Sequence, residues 1–300
     1  MLSGSLAAIL SGSAGKAAAV KGSGVKVYIE TDMEGASGVW KASQVEPGCP
    51  AEYQYGKGCL QRDVNAVVQA AFDNGAAEVI VRDGHGPGAL DWDQIDPRAA
   101  IERRALLPDL FPSLDQTCGC AIMIGCHAMA GTPRAFLEHT QSSTEWFDFK
   151  INGRPQGEVG QFASYAGHYG VPLALIAGDR AACQEIGRLF PDTVTAEVKW
   201  ALKRGECTCH PAEHCQKLLR EKTAEALMKV KAGQIKPWVL DKPVEIELIV
   251  QRVELADRMP QQYRVGPRTF RKRVSDQRLV VTIEGPASWP DGRIPLRDTP

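Results

Sequence analysis

Three hundred residues can bury a large core, as one large domain or two ordinary ones. With 24% charged residues, 44% hydrophobic residues and a formal net charge of -1, the composition is that of an ordinary globular protein. That balance gives no electrostatic support to nucleic-acid or anionic-membrane partners, and no apolar run approaches the roughly 18 residues a membrane helix needs.

Met1 to Gly24 is a low-complexity stretch of Ala, Gly and Ser. No basic residue precedes its short apolar piece, Leu6 to Leu10, so it reads as an N-terminal extension rather than a secretory signal. Val25, Val27 and Ile29 then alternate with Lys26, Tyr28 and Glu30 as a strand should. The strand runs into Thr31-Asp32-Met33-Glu34-Gly35. Residues i and i+2 of an extended chain face one side, so Asp32 and Glu34 converge at its tip. Two carboxylates so close repel unless a proton or a cation lies between them.

Residues 36–58 read as a long loop, of the kind that usually carries function. From Leu60 the period becomes helical, with Val64, Val67, Val68, Ala71 and Phe72 on one face and a stop at Asn74-Gly75. Glu78 to Arg82 is a second strand, leading into Asp83-Gly84-His85. Strand, helix and strand make a βαβ unit, which predicts a parallel sheet. Short helical pieces are expected near Trp92 to Arg98.

Ala121 to Gly125 is a buried strand delivering Cys126-His127-Ala128. His139 lies in the loop beyond. Glu145 to Ile151 is a strand turning at Asn152-Gly153. The returning arm brings Glu158 to the start of a helix over Val159 to Tyr169. Leu173 to Ala177 is another apolar strand, Arg180 to Phe190 a helix, and Val194 to Trp200 extended. Pro211 to Lys231 is an amphipathic helix. Val244 to Val250 is a strand, and Leu279 to Ile283 a further candidate. The predicted fold is α/β: a mostly parallel sheet flanked by helices and carrying a metal site, with a second smaller α+β domain. The expected division is an extension over 1–24, a catalytic domain over 25–190, a second domain over 191–284 and a disordered tail over 285–300.

Ligand sites of open α/β sheets lie beyond the carboxyl ends of the strands. Topology alone therefore gathers Asp32, Glu34, His85 and His127, and the hairpin adds Glu158. Mixed carboxylates and imidazoles suit Zn2+ or Mn2+ rather than Ca2+ or Mg2+. Five donors exceed what one four-coordinate zinc needs, which points to two metals sharing a carboxylate. A second group, Cys207, Cys209, His210, His214 and Cys215, is set aside. One residue separates the first two cysteines, and Pro211 interrupts the histidine pair. Asp83 and Asp179 either orient imidazoles or cap loops. Nine scattered cysteines, an odd number, fit reduced thiols in a cytoplasm rather than a disulfide framework.

Thr31-Asp32-Met33-Glu34-Gly35, Asp83-Gly84-His85, Gly125-Cys126-His127-Ala128, Glu138-His139 and Arg154-Pro155-Gln156-Gly157-Glu158-Val159-Gly160 together resemble the zinc-dependent D-aminopeptidase family. The resemblance runs from about residue 25 to about residue 230. It implies that Asp32 bridges two zinc ions, that Glu34, His85, His127 and Glu158 complete the ligands, and that His139 is catalytic. It further implies release of N-terminal D-amino acids from short peptides such as D-Ala-D-Ala, by a ring-shaped homo-oligomer with an internal chamber. A metal-activated water would attack the carbonyl, while His139 either passes the proton to the leaving amine or stabilises the oxyanion. The alternatives are an amidase or L-specific peptidase on the same metals, or a non-catalytic metal-binding or assembly protein. The chain departs from the family at Gly178-Asp179-Arg180, where a second acid is common and could meet a substrate amine. It also lacks a closing amphipathic helix after about Phe270.

Overall fold

The computed structural model describes residues 24–103 and 110–280. The N-terminal extension and the C-terminal tail lie outside the described residues, apart from Gly24.

Among the described residues, eleven strands are interspersed with helices. They are β1 (Val25–Thr31), α1 (Pro50–Asp73), β2 (Ala76–Asp83), β3 (Ala100–Glu102), β4 (Cys120–Cys126), β5 (Trp146–Ile151), β6 (Arg154–Pro155), α2 (Glu158–His168), β7 (Leu173–Asp179), α3 (Arg180–Leu189), β8 (Val194–Lys203), β9 (Glu206–Cys209), α4 (Ala212–Lys231), β10 (Val244–Val250) and β11 (Thr269–Val274). A seven-stranded sheet runs β3-β2-β1-β4-β7-β8-β9, and a four-stranded sheet runs β11-β10-β5-β6. The large sheet is parallel except for its last strand, β9, which pairs antiparallel with β8. The small sheet is antiparallel throughout. Sheet membership crosses residue 190 in both directions: β8, β9 and α4 join the large sheet, and β5 and β6 pair with β10.

The large sheet is apolar on both faces because helices cover both, as parallel sheets require. Val27, Ile29, Val79, Val81, Ile122 and Ile124 pack with α1 and α4. Tyr28, Ile80, Met123 and Ile176 pack with α2 and α3 on the opposite face. The small sheet has its own core around Trp146, Phe149, Ile246, Leu248 and Phe270. Its other face is a ladder of ion pairs, with Glu245 and Glu247 meeting Arg273, Arg271 and Lys150.

Several expectations are corrected. The helix predicted from Leu60 begins at Pro50, where proline suits the first turn. Its first ten residues carry no apolar stripe, yet Gly56 and Cys59 are buried against the loop before it. Leu279 and Val280 lie in a 3-10 turn rather than a strand, and the remainder of that predicted strand lies outside the described residues. The stretch after Phe270, read as lacking a closing helix, begins within β11. Its arginines face glutamates of β10, so a charged sequence makes a strand through cross-strand pairs.

One polar network is buried beneath α2. Arg82 donates to Glu30, lies 3.7 Å from Glu102, and stacks 4.6 Å from the Phe111 ring centroid. Tyr28 donates its hydroxyl to Glu102. A buried cation removed from two carboxylates leaves them unpaired, at a cost of about 3–5 kcal/mol. Arg82→Met should lose about that much in urea denaturation, and adding Glu30→Gln and Glu102→Gln should restore part of it.

Candidate metal centre

Two glycines let the ends of β1 and β4 pass in contact. Gly125 has φ +78°, and a Cβ there would lie 1.9 Å from the Asp32 carbonyl oxygen. A Cβ on Gly35 would lie 1.8 Å from the Cys126 carbonyl oxygen. Asp32 N–H donates to Ile124 O at 2.8 Å and Gly35 N–H to Gly125 O at 2.7 Å. This interlock carries Asp32 and Glu34 up against His127.

All six residues singled out in the sequence come together at the carboxyl edge of the large sheet. Asp32 and Glu34 follow β1, His85 follows β2, His127 follows β4, and Glu158 is the first residue of α2. His139 reaches in from the loop after β4, its ring stacked on His127 at 3.9 Å and 14°. Asp32, Glu34, His85 and His127 are buried. The donors form two groups, Asp32–Glu34–His85 and His127–His139–Glu158, with ligand atoms within 4.8 Å of one another in each. Asp32 ties the groups together, since its Oδ2 lies 3.3 Å from His127 Nε2.

Each imidazole is tethered from outside by Nδ1. His127 Nδ1 lies 3.0 Å from Ala128 O and His139 Nδ1 lies 2.9 Å from Leu137 O, so each Nδ1–H donates outward. His85 Nδ1 lies 3.5 Å from the Tyr53 hydroxyl, whose own hydrogen goes to Gly88 O at 2.7 Å. All three Nε2 atoms consequently face carboxylate oxygens: His85 to Glu34 at 3.7 Å, and His127 and His139 to Glu158 at 3.6 and 3.7 Å. An imidazole nitrogen left unprotonated by its partner's hydrogen bond is a metal ligand. Glu34 Oε2 and His127 Nε2 are buried with no hydrogen-bond partner among the described residues. Those orphaned atoms, and the mixed oxygen and nitrogen donors, fit Zn2+.

The electrostatics agree. Burial, with the Glu34 charge beside it, pushes Asp32 up to about 6, against the pull of His127. Burial opposes charge on His127, yet Glu158, Asp32 and Glu34 together hold it well above its ordinary value. Burial would also raise Glu34, but the imidazoles of His85, His127 and His139 bring it well below the usual carboxylate range. The pocket favours positive charge at its centre.

Asp83 and Asp179 cap loops rather than orienting imidazoles. Asp83 accepts from Ala89 and Leu90 N–H at 2.6 and 2.9 Å, fixing the loop of His85. Asp179 accepts from Phe136 and Ala182 N–H, both at 2.8 Å. Arg180, at the place of the family's second acid, pairs with Glu197. The cysteine and histidine group near residue 210 forms no ligand cluster among the described residues; His210 packs on Trp200 instead. All nine cysteines are free thiols.

A family model described as D-aminopeptidase matches residues 25–283. The chain belongs to the D-aminopeptidase family. It is accordingly a metallo-aminopeptidase, a hydrolase of peptide bonds. A D-aminopeptidase of Bacillus subtilis (strain 168) is 34% identical over 223 residues, which is 73% of this chain and 80% of that one. Among solved structures, the Zn-dependent D-aminopeptidase DppA from Bacillus subtilis, a self-compartmentalizing protease, matches with TM-score 0.80 at 30% identity. That match covers 86% of this chain and 94% of the other.

The glycine interlock is testable. Gly35→Ala forces the β1 end away from Cys126 O and should cut turnover about a hundredfold with the circular dichroism spectrum retained. Gly48→Ala, where an added Cβ meets nothing within 4 Å, should leave turnover unchanged.

Proposed function

We propose that the six-residue centre holds two Zn2+ ions per subunit and releases N-terminal D-amino acids, D-Ala among them, from short peptides. The observation that carries this reading is the outward tethering of all three imidazoles, which leaves every Nε2 facing a carboxylate. Asp32 would bridge the ions, because it belongs to one donor group and touches the other. Glu34 and His85 would serve one ion, His127 and Glu158 the other. The same donors accept Mn2+.

Zinc bound there would polarise the scissile carbonyl and bring the pKa of water toward about 7. The chain's residues do the rest. The Glu158 carboxylate is fixed by the Gln141 N–H at 2.7 Å, so it holds its place beside both histidines. His139, tethered at Nδ1, is partly exposed and offers Nε2 to a proton moving toward the leaving amine, or to the oxyanion. A second reading of His139 is favoured by its distance to Glu158, which matches that of His127: it would then be a ligand.

Similarity to a self-compartmentalizing protease supports a ring-shaped homo-oligomer whose chamber admits only short peptides. No helix among the described residues is long and apolar enough to cross a membrane, and a cytoplasmic location is proposed on the free thiols.

Metal analysis of the purified protein should give two zinc ions per subunit, and Asp32→Ala should lose both. His139→Ala should keep both while kcat falls about 10²–10⁴-fold; loss of one ion instead would make His139 a ligand. D-Ala para-nitroanilide should be hydrolysed in preference to the L-form. Turnover of the L-form alone, or of simple amides alone, would favour the L-specific peptidase or the amidase.

A further inference from the structure

Lys199, in the middle of β8, is fully buried. Its Nζ donates to the Glu34 carbonyl, to Ala36 O at 3.0 Å and to Val39 O at 2.7 Å, which uses all three of its N–H bonds. The ammonium also lies 4.6 Å from the centroid of the Phe136 ring. Burial works against its charge, and the Cys207 and Cys209 thiols with Asp179 and Asp63 lean the other way. An ammonium without a close carboxylate partner is rarely buried, because removing it from water costs several kcal/mol. Here the direct contacts that compensate are backbone oxygens and an aromatic face.

Those oxygens all belong to one turn, the stretch after Asp32 that carries Glu34. Three carbonyls aimed at one point repel one another unless a cation sits among them. Asp63 of α1 accepts from Ser37 N–H at 2.7 Å and from the Ser37 hydroxyl. The turn is thus held by a cation and an anion from two different elements. The hydrogen bonds that anchor the second donor group go elsewhere, to Ala128 O, Leu137 O and the Gln141 N–H, and Lys199 meets that segment through the face of the Phe136 ring, not through a hydrogen bond.

We infer that Lys199 is a positioning residue for Glu34: its ammonium shapes the 34–39 turn so that the Glu34 carboxylate faces Asp32 and His85, and so sets the affinity of that half of the centre alone. This rests on the two-ion reading. Outer partners of metal ligands typically tune affinity 10–100-fold. Lys199→Met keeps most of the stem and removes the donors.

The test is a zinc titration of chelator-stripped protein against a competing chromophoric chelator, together with amide hydrogen exchange. The wild type should take two ions. Lys199→Met should weaken one at least about tenfold and leave the other within about twofold. Exchange should quicken over 34–40 and stay unchanged over 128–142. Lys199→Gln, which keeps two donors, should fall between and covers the case in which the methionine variant does not fold. Leu219→Ala, a buried cavity in the same core, should lower Tm without separating the two ions. Equal weakening of both ions, or of neither, would overturn the inference. A wild type that binds one ion would instead overturn the two-ion reading, before any variant is made.

Discussion

Carboxylate oxygens crowded beside imidazole nitrogens, largely out of water, are the constraint around which this molecule is arranged. Asp32, Glu34 and Glu158 cannot share one cleft as bare anions unless positive charge comes with them. The three histidines are turned so that none spends its inner nitrogen on a neighbouring donor. Each is instead held from behind, by a main-chain oxygen or a tyrosine hydroxyl. The fold thus supplies two things: a rim that brings the groups together, and outer contacts that keep them aimed inward.

The rim depends on backbone details as much as on side chains. Gly35 and Gly125 let two strand ends touch where any side chain would collide. Asp83 and Asp179, acidic residues at strand ends, have become loop fasteners. Lys199 sits directly below the turn of Glu34, in a strand that contributes no donor of its own to the centre. A charge placed there is costly, and it is tolerated because the turn above presents three oxygens to it.

Much of the large sheet was legible because its strands are short apolar runs ending in chemically distinctive residues. β1, β2, β4 and β7 announce themselves through Val, Ile and Ala, and the helices α2, α3 and α4 through their period. The same strand ends located four of the six groups, since parallel sheets gather the residues just past their carboxyl termini, and the hairpin led to Glu158. His139 is different: no periodicity leads to it, and only the family resemblance marked it. The start of α1 was hidden because its first turns are polar and contain glycine. β9 and β11 were hidden because one is four residues long and the other is charged. Lys199 falls in the stretch read only as extended, and nothing in the sequence marks it. Only the position of three distant carbonyls, set by tertiary structure, gives it a role.

The two donor groups also come from successive lengths of chain. Asp32, Glu34 and His85 all belong to the first βαβ unit, complete once β2 has paired with β1. His127, His139 and Glu158 come later, between β4 and the start of α2. A chain emerging from the ribosome therefore holds one whole donor group well before the other exists, and Asp32 must wait for β4 to dock beside β1 before it can meet His127. Assembly of the centre is in this sense a record of synthesis order, with Asp32 present from the start and Glu158 arriving last.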